Sequence, residues 1–326
     1  MEIDYSVVIR TTGQAGEKYQ ALLDSIEGLY PRPVEVIVVL PEGYELPKEK
    51  LGYERFCFSP KGMVIQRMEG VAQCKTRYAL VCDDDVKFDS DFVNKLYAPI
   101  KEGVGFFSAG PLYSFLPSKG LQSVVCTLMG SAMPTIFHKN DRYVSVLKST
   151  GYSYNRHLKP EQKKYYESQS LAWTCFFADI EVFRKLKLED EKWLDAHGYS
   201  AMDDQTMFYK AWLMGYKTIV VADAYYEHLD GQTSTRNNKP AVLYSLALNR
   251  VVFWHRFIYC MQSNMFMKGM ARVAFGYRTQ AVRLWDYISV FRHRMSKEDY
   301  QITRKGYRDG WKYICSEEYK TLPPCD

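Results

Sequence analysis

The chain has 326 residues, of which 47% are hydrophobic, 15% aromatic and 25% charged, and this composition excludes disordered, collagen-like and coiled-coil proteins. No apolar run reaches the roughly 18 to 20 residues of a membrane span, and the acidic start Met1-Glu-Ile-Asp4 lacks the basic region of a signal peptide. The eight cysteines include no C-x-x-C pair, so we expect reduced thiols in a cytosolic protein. The net charge of +5 is concentrated in the tail, because from Ala241 onward 14 Lys and Arg face 7 Asp and Glu.

The first part of the chain alternates strands and helices. Buried strands are predicted at Tyr5–Arg10, Val34–Leu40 and Tyr78–Cys82, with helices over residues 17–29 and around 64–76. This order predicts an α/β fold, a Rossmann-like and mostly parallel sheet with helices on both faces. In such sheets ligands bind beyond the carboxyl ends of the strands, where the Thr11 loop and Asp83-Asp84-Asp85 fall.

The second part is less regular, and residues 106–170 give no clear period. A strand is predicted at 170–177, a short helix at 180–186, a helix at 203–214 and a strand at 217–222. Beyond Pro240 the pattern predicts three helices, over 241–275, 279–294 and 297–313. These helices form a C-terminal extension of residues 239–326.

Three consecutive carboxylates, Asp83, Asp84 and Asp85, follow a predicted buried strand. Like charges this close repel and raise each other's pKa values unless a cation neutralises them. Oxygen ligands from one or two carboxylates, completed by water and phosphates, are what Mg²⁺ or Mn²⁺ prefers. The triplet therefore indicates a divalent metal site, with a solvated acidic turn as the alternative.

A second acidic pair, Asp203-Asp204, opens a predicted helix, where capping accounts for one carboxylate and leaves the other free to act as a base. His228 follows a predicted strand, and a histidine in that place is by itself an ordinary half-buried residue. Its combination with the aspartates makes it a candidate for the same site.

The stretch from Tyr5 to Val86 resembles the donor half of family 2 glycosyltransferases, which have the A-type nucleotide-sugar fold. Gly62-Met-Val-Ile-Gln-Arg-Met-Glu-Gly70 and Tyr78-Ala-Leu-Val-Cys-Asp-Asp-Asp85 are similar to that family's glycine, Arg-Asn-x-Gly element and strand ending in Asp-x-Asp. Asp203-Asp204, leading through a helix to Gly215-Tyr216, resembles its Glu/Asp-Asp element, and His228 stands where its late metal-binding histidine is expected.

The resemblance implies a metal-dependent, inverting glycosyltransferase of surface polysaccharide or glycoconjugate synthesis, acting between a nucleotide-diphosphate sugar and a glycan or lipid-linked acceptor. A catalytic domain of residues 1–238 would comprise a donor half of about 1–105 and an acceptor half of about 106–238. Mn²⁺ or Mg²⁺ would be held by Asp83, Asp85 and His228. Asp204 would be the base, with Asp203 orienting it or contacting the acceptor. The donor would be bound by Arg10, Thr11, Glu42, Arg67, Asp83, Asp84, Thr233 and Arg236.

Two departures from the family pattern concern the nucleotide. Met68 replaces the usual Asn, and Leu40-Pro-Glu-Gly43 replaces the usual Asp-Asp-Gly-Ser that contacts the base. We therefore expect Glu42 to substitute for the missing carboxylate and Arg67 to reach the base.

The polar loop Gly231–Asn238 is expected to order over the diphosphate through Thr233, Ser234 and Arg236, or else to be a linker. In the tail, aromatic residues alternate with Arg and Lys over Leu248–Phe275. This mixture suits an amphipathic helix on an anionic membrane surface, with peripheral attachment to its inner face, or a cap packed on the catalytic domain. No nucleic-acid reading module is present, so we expect no nucleic-acid partner.

Three other functions share parts of this pattern. A haloacid-dehalogenase-like phosphatase also places Asp-x-Asp at a strand end, but that family has Thr or Val four residues after the first Asp, where this chain has Lys87. A nucleotidyltransferase would need a Gly-rich basic loop that Thr11–Gly16 does not provide. A non-catalytic member that binds nucleotide sugar remains the non-enzyme alternative.

Overall fold

The computed structural model describes residues 3–111, 120–133, 141–155, 158–229 and 239–325. Its strands are β1 Tyr5–Arg10, β2 Glu35–Pro41, β3 Arg55–Ser59, β4 Tyr78–Asp83, β5 Val86–Phe88, β6 Phe107–Ala109, β7 Val144–Val146, β8 Ser153–Asn155, β9 Tyr165–Ser168, β10 Cys175–Asp179, β11 Thr218–Val221 and β12 Tyr226–His228. Its α-helices are α1 Glu17–Glu27, α2 Met63–Gln73, α3 Phe92–Lys101, α4 Gly120–Leu128, α5 Ile180–Lys185, α6 Asp203–Leu213, α7 Lys239–Phe253, α8 Met265–Phe291, α9 Lys297–Tyr313 and α10 Glu317–Lys320.

Eight strands form the central sheet in the order β3-β2-β1-β4-β10-β6-β11-β9. The first four are parallel to one another, as the β-α-β pattern predicts, whereas β10 and β9 are antiparallel to the strands they pair with. Arg10 of β1 lies beside Asp83 of β4 in this register. The carboxyl ends of the parallel strands therefore bring a cation and an anion together at one edge of the sheet.

Alternate residues of the strands build two apolar layers. Val7 and Ile9 face the layer that contains α1 and α3, whereas Val8 faces α2 and the second half of the chain. Helix α2 lies very close to the sheet at Gly70, where an added Cβ would stand 2.3 Å from Val8 Cγ1. Glycine at this position thus allows α2 to approach β1.

The second half confirms the predicted strands and helices around α5, α6, β10 and β11, although β10 begins only at Cys175. The described residues of the unassigned region 106–170 form five short elements, β6, α4, β7, β8 and β9. These are three- to nine-residue segments, too short for a sequence period to show.

The tail is helical as predicted, but the predicted helix over 241–275 is wrong in extent. Helix α7 ends at Phe253 and continues as a π-helical turn, Trp254–Tyr259. A new helix then begins after Asn264, whose side-chain oxygen accepts a hydrogen bond from the backbone N–H of Met267 (2.9 Å). This helix, α8, runs without a break through the two regions that were predicted to be separate helices.

The tail shares the core of the sheet domain. Phe253, Trp254 and Phe257 are buried in the same apolar cluster as Val8 of β1. Helix α9 packs so closely on α7 that a Cβ at Gly306 would lie 2.5 Å from a backbone oxygen of α7. None of the helices in the described ranges is long and apolar enough to cross a bilayer.

A buried ion cluster also joins the tail to the sheet domain. Glu191 accepts hydrogen bonds from Lys210 Nζ of α6 (2.8 Å) and from Arg256 Nε of the π-helical turn (2.7 Å). Burial alone would raise the pKa of Glu191, but the two cations hold it below its ordinary value. The cluster fixes the helix that begins with Asp203 and Asp204 against the tail.

Candidate active site

Asp83, the last residue of β4, lies between two guanidinium groups. Its Oδ1 accepts hydrogen bonds from Arg10 Nε (3.1 Å) and Arg67 Nη2 (2.7 Å), and its backbone N–H donates to the carbonyl of Thr174 (2.8 Å). The two arginines neutralise this carboxylate, so the cation beside Asp83 Oδ1 is supplied by the chain itself. Asp83 was expected to bind both metal and donor, and the structure places it as the partner of Arg10 and Arg67.

Arg67 is buried beneath the site, and this corrects the expectation that it reaches a nucleotide base. Its side chain is 1% exposed, and its guanidinium carbon lies 4.3 Å from the centroid of the Trp173 ring. Besides Asp83, it donates from Nη1 to Asp203 Oδ2 (3.1 Å). Because α2 closely approaches the sheet, Arg67 bridges the two acidic motifs instead of contacting a ligand from the surface.

Asp84 fixes the loop that follows β1. Its Oδ2 accepts a hydrogen bond from Thr11 Oγ1 (2.5 Å), and the same hydroxyl accepts one from the backbone N–H of Gly13 (2.8 Å). Burial raises the pKa of Asp84 to about 6, against the lowering effects of Thr11 and Arg10. Thr11 is buried, whereas Arg10, the last residue of β1, lines the cavity described below.

Asp85 and His228 lie side by side, although 143 positions separate them in the sequence. Strand β12 pairs antiparallel with β5, and this register brings His228 Nε2 to 3.3 Å from Asp85 Oδ1. A carboxylate oxygen and an imidazole nitrogen suit a divalent cation that completes its shell with water and phosphate oxygens. Across the described ranges no three His, Cys, Asp or Glu side chains form a metal-binding group, so the chain offers a pair of ligands here.

The acidic pair at the start of α6 is divided between two environments. Asp203 is buried and paired with Arg67, and burial raises its pKa to about 7 with a further contribution from Asp204. Asp204 lines a cavity of about 190 Å³, with Tyr143, Ser153 and Tyr226 also in its wall. Burial raises the pKa of Asp204 as well, against a hydrogen bond from the backbone N–H of Gln205 (2.6 Å). Asp204 is therefore the member of the pair that faces open space.

A larger cavity of about 350 Å³ opens beyond the carboxyl ends of β1 and β2. Arg10, Lys61 and Tyr44 line it, and Lys61 Nζ donates to Tyr44 Oη (2.6 Å). Glu42, expected to contact the nucleotide base, is exposed and is not among the residues that line this wall.

Asp195 forms one side of the same cavity and was not expected in the site. It caps α2 by accepting hydrogen bonds from the backbone N–H groups of Met63 (2.8 Å) and Ile65 (3.0 Å). A Cβ at Gly62 would lie 2.6 Å from Asp195 Oδ2, so the glycine of the sequence motif makes room for this cap. Thr233 and Arg236, with the rest of the loop Gly231–Asn238, lie outside the described residues.

Comparison with known proteins supports the fold. No family model and no curated protein sequence matches the chain. A crystal structure of GalNAc-T7 with UDP, GalNAc and Mn²⁺ aligns with a TM-score of 0.50 at 14% identity, over 88% of this chain and 57% of that one. The chain thus spans little more than half the length of that protein. The fold class expected from the sequence, an A-type glycosyltransferase fold with a mostly parallel sheet, is confirmed.

Two crystal structures of S. aureus TarS align at lower TM-scores. The first has a TM-score of 0.42 at 13% identity, over 93% of this chain and 55% of that one. The second, of residues 1–349, has a TM-score of 0.39 at 15% identity, over 95% and 92% of the two chains. Because both TM-scores are below 0.5, neither alignment supports the fold assignment.

Proposed function

We propose that this protein is an inverting, metal-dependent glycosyltransferase that moves a sugar from a nucleotide diphosphate to an acceptor hydroxyl. The observation that carries the proposal is the Arg67 bridge, which joins Asp83 at the end of β4 to Asp203 at the start of α6. The bridge keeps the strand end and the acidic helix start at one site and leaves Asp204 facing a cavity. The match to GalNAc-T7, whose crystal structure contains UDP, GalNAc and Mn²⁺, supports this assignment.

The donor would lie in the cavity beyond β1 and β2, with its diphosphate toward Asp85 and His228. These two side chains would hold Mg²⁺ or Mn²⁺, which stabilises negative charge on a leaving diphosphate. Arg10 lines the cavity and would contact the donor directly. Lys61 and Tyr44, at the wall of the same cavity, would contact the nucleoside.

Asp204 would take the proton from the acceptor hydroxyl as its oxygen attacks the anomeric carbon. Attack from the face opposite the diphosphate inverts the configuration at that carbon. Burial of Asp204 raises its pKa and so strengthens it as a base once it is ionised. Asp203, which is bonded to Arg67, would position the start of α6 instead of reacting.

The metal and donor site can be tested by binding without turnover. Asp85→Ala and His228→Ala are each expected to weaken UDP binding in the presence of Mn²⁺ by at least about tenfold, because each removes one of two protein ligands. Isothermal titration calorimetry measures the affinity, after thermal shift with UDP, GDP, ADP and CDP has shown which nucleotide stabilises the protein.

Glu42→Ala is the matched control, because this carboxylate is exposed and follows Pro41 of the cavity wall without itself being part of that wall. Its affinity should equal that of the wild type. Unchanged binding in both Asp85→Ala and His228→Ala, or equal binding with and without Mn²⁺, would contradict the metal site. Nucleotide binding without any sugar transfer would favour the non-catalytic alternative.

We also propose that α8 rests on an anionic membrane surface, where a lipid-linked acceptor would be available. Only Ala271 and Phe275 of this 27-residue helix are buried. Exposed apolar residues recur at spacings of three, four or seven on the opposite face: Phe266, Met270, Val273, Tyr277, Leu284 and Phe291. Arg272 and Arg283 are exposed beside this stripe, in a tail with a surplus of positive charge.

Liposome flotation tests the membrane proposal. The wild type is expected to float with vesicles of phosphatidylcholine and phosphatidylglycerol, and the double variant Phe266→Ser/Phe291→Ser to remain at the bottom of the gradient. Val34→Ser, which changes an exposed apolar residue on the sheet domain, is the control and should float. A wild type that fails to float, or a dimer that the double variant dissociates, would contradict the proposal.

A further inference from the structure

A wide, positively charged cleft lies between α8 and α9, away from the proposed donor cavity. Its volume is about 880 Å³. Four cationic side chains and one carboxylate line it: Arg283, Arg304, Lys305, Arg308 and Glu298. Three aromatic rings, those of Tyr300, Tyr307 and Trp311, are also part of the wall. A cleft of this size and charge suits an extended anionic ligand.

Tyr152, with a guanidinium group over its ring from each of two arginines, connects the cleft to the region of Asp204. Tyr307 Oη, in the cleft wall, lies 3.4 Å from Tyr152 Oη. The guanidinium carbons of Arg250 and Arg278 lie 4.3 and 4.4 Å from the centroid of the Tyr152 ring. Arg250 is also near enough to Asp204 to oppose the rise in the pKa of that carboxyl that burial causes. Arg278 and Arg250 therefore place positive charge between the cleft and Asp204, the proposed base.

Several hydrogen-bond donors on this line lack acceptors within the described part of the chain. Nε and Nη1 of Arg278 and Nε of Arg304 are buried without a partner, and no hydrogen bond is found for Arg250. Asp286, a carboxylate on which the charges of both Arg278 and Arg304 act, is already bonded to Arg304 Nη2 (2.8 Å). Buried guanidinium donors without acceptors are unfavourable, and an anionic ligand would satisfy them.

We propose that the acceptor is an anionic chain, carrying phosphate or carboxylate groups, and that α7, α8 and α9 hold it. This proposal rests on the proposed function, because it places the acceptor hydroxyl at Asp204. The guanidinium fork binds both kinds of anion through paired hydrogen bonds. The donor does not fill this role, since its proposed cavity is lined by the loops after β1 and β2 and by residues 195–200.

Binding of anionic oligomers in the absence of nucleotide and metal tests the proposal. The probes are fluorescently labelled inorganic polyphosphate, oligogalacturonate, neutral dextran and oligothymidylate, and fluorescence polarisation measures their affinities. The wild type is expected to bind polyphosphate or oligogalacturonate, whichever carries the matching anion, at least about tenfold more tightly than dextran. Arg278→Gln is expected to weaken that binding by about tenfold.

Arg308→Gln provides a second variant that keeps the fold, because this cleft residue is largely exposed, and a threefold or greater loss is expected. Arg272→Gln removes the same charge from an exposed position of α8 outside the cleft wall, and it should bind as the wild type does. Equal losses in all three variants would show non-specific attraction and overturn the proposal. Tighter binding of oligothymidylate than of either other anion would also overturn it, in favour of nucleic acid.

The two proposals fail in distinguishable ways. Loss of UDP binding, with anion preference and its dependence on Arg278 retained, would reject the transferase site and leave the cleft as a polyanion site. Intact UDP binding and transfer, with no preference for anions over dextran, would reject the anionic acceptor alone.

Discussion

Asp204→Asn is expected to lower kcat for sugar transfer by about 10²- to 10⁴-fold while leaving the affinity for UDP with Mn²⁺ unchanged. Asn has nearly the same shape but cannot accept the acceptor proton. Asp204 lines the smaller cavity and is separate from the wall of the donor cavity, so donor binding does not depend on its charge. Steady-state transfer assays and calorimetry, applied to the same preparation, measure the two effects.

Gln205→Glu is not a suitable control, because Gln205 donates a hydrogen bond to the Gly151 carbonyl (2.7 Å). Asn155→Ala, in the wall of the same small cavity, is the better comparison, and its kcat should fall far less than that of Asp204→Asn. In the wild type, kcat/KM should decline as pH falls, because burial raises the pKa of Asp204 and the carboxyl then takes up a proton above its ordinary range. A kcat in Asp204→Asn within threefold of the wild type would reject Asp204 as the base.

Arg67→Met is expected to lower the free energy of unfolding by about 3 to 5 kcal/mol at pH 8. The change leaves Asp203 buried without its cation and removes one of the two guanidiniums at Asp83. The loss should be smaller at pH 5. Burial already raises the pKa of Asp203 to about 7, and without Arg67 its pKa rises further, so the carboxyl is neutral at pH 5 and charged only as pH increases. Urea denaturation at both pH values measures the difference.

Two comparisons separate this effect from the loss of any ion pair. Arg55→Met removes a partly exposed guanidinium that pairs with Glu35, and it should cost no more than about 1 kcal/mol. The double variant Arg67→Met/Asp203→Asn should recover much of the stability at pH 8, because the unpaired charge is gone. If Arg67→Met is equally stable to the wild type at pH 8, the buried bridge does not contribute as described.

Much of the first half of the fold could be predicted from the sequence. Strands β1, β2 and β4 are continuous apolar runs, and α1 and α2 between them show clear helical spacing. Parallel pairing then requires Arg10 and Asp83 to share one sheet edge. The convergence of Asp85 with His228 could be expected only from the family resemblance, because it depends on pairing between the three-residue strands β5 and β12.

Other parts of the site could not be predicted, for a physical reason. The burial of Arg67 depends on Trp173 and Asp203, which are 106 and 136 positions away along the chain. Asp195 caps α2 from a segment without a regular period, and sequence alone does not show which helix a distant carboxylate will cap. Whether Glu42 lines the cavity could not be predicted either, because a residue's neighbours in the motif do not fix the direction of its side chain.

The buried cluster around Glu191 has a practical consequence for anyone who works with shorter versions of this protein. A chain that stopped before Lys239 would keep Glu191 and Lys210 but lose Arg256, together with the tail's aromatic rings in the shared apolar cluster. Such a fragment would expose an aggregation-prone apolar surface next to the helix that carries Asp204. Boundaries for expression and crystallisation should therefore retain the tail, and point substitutions are the safer way to dissect its role.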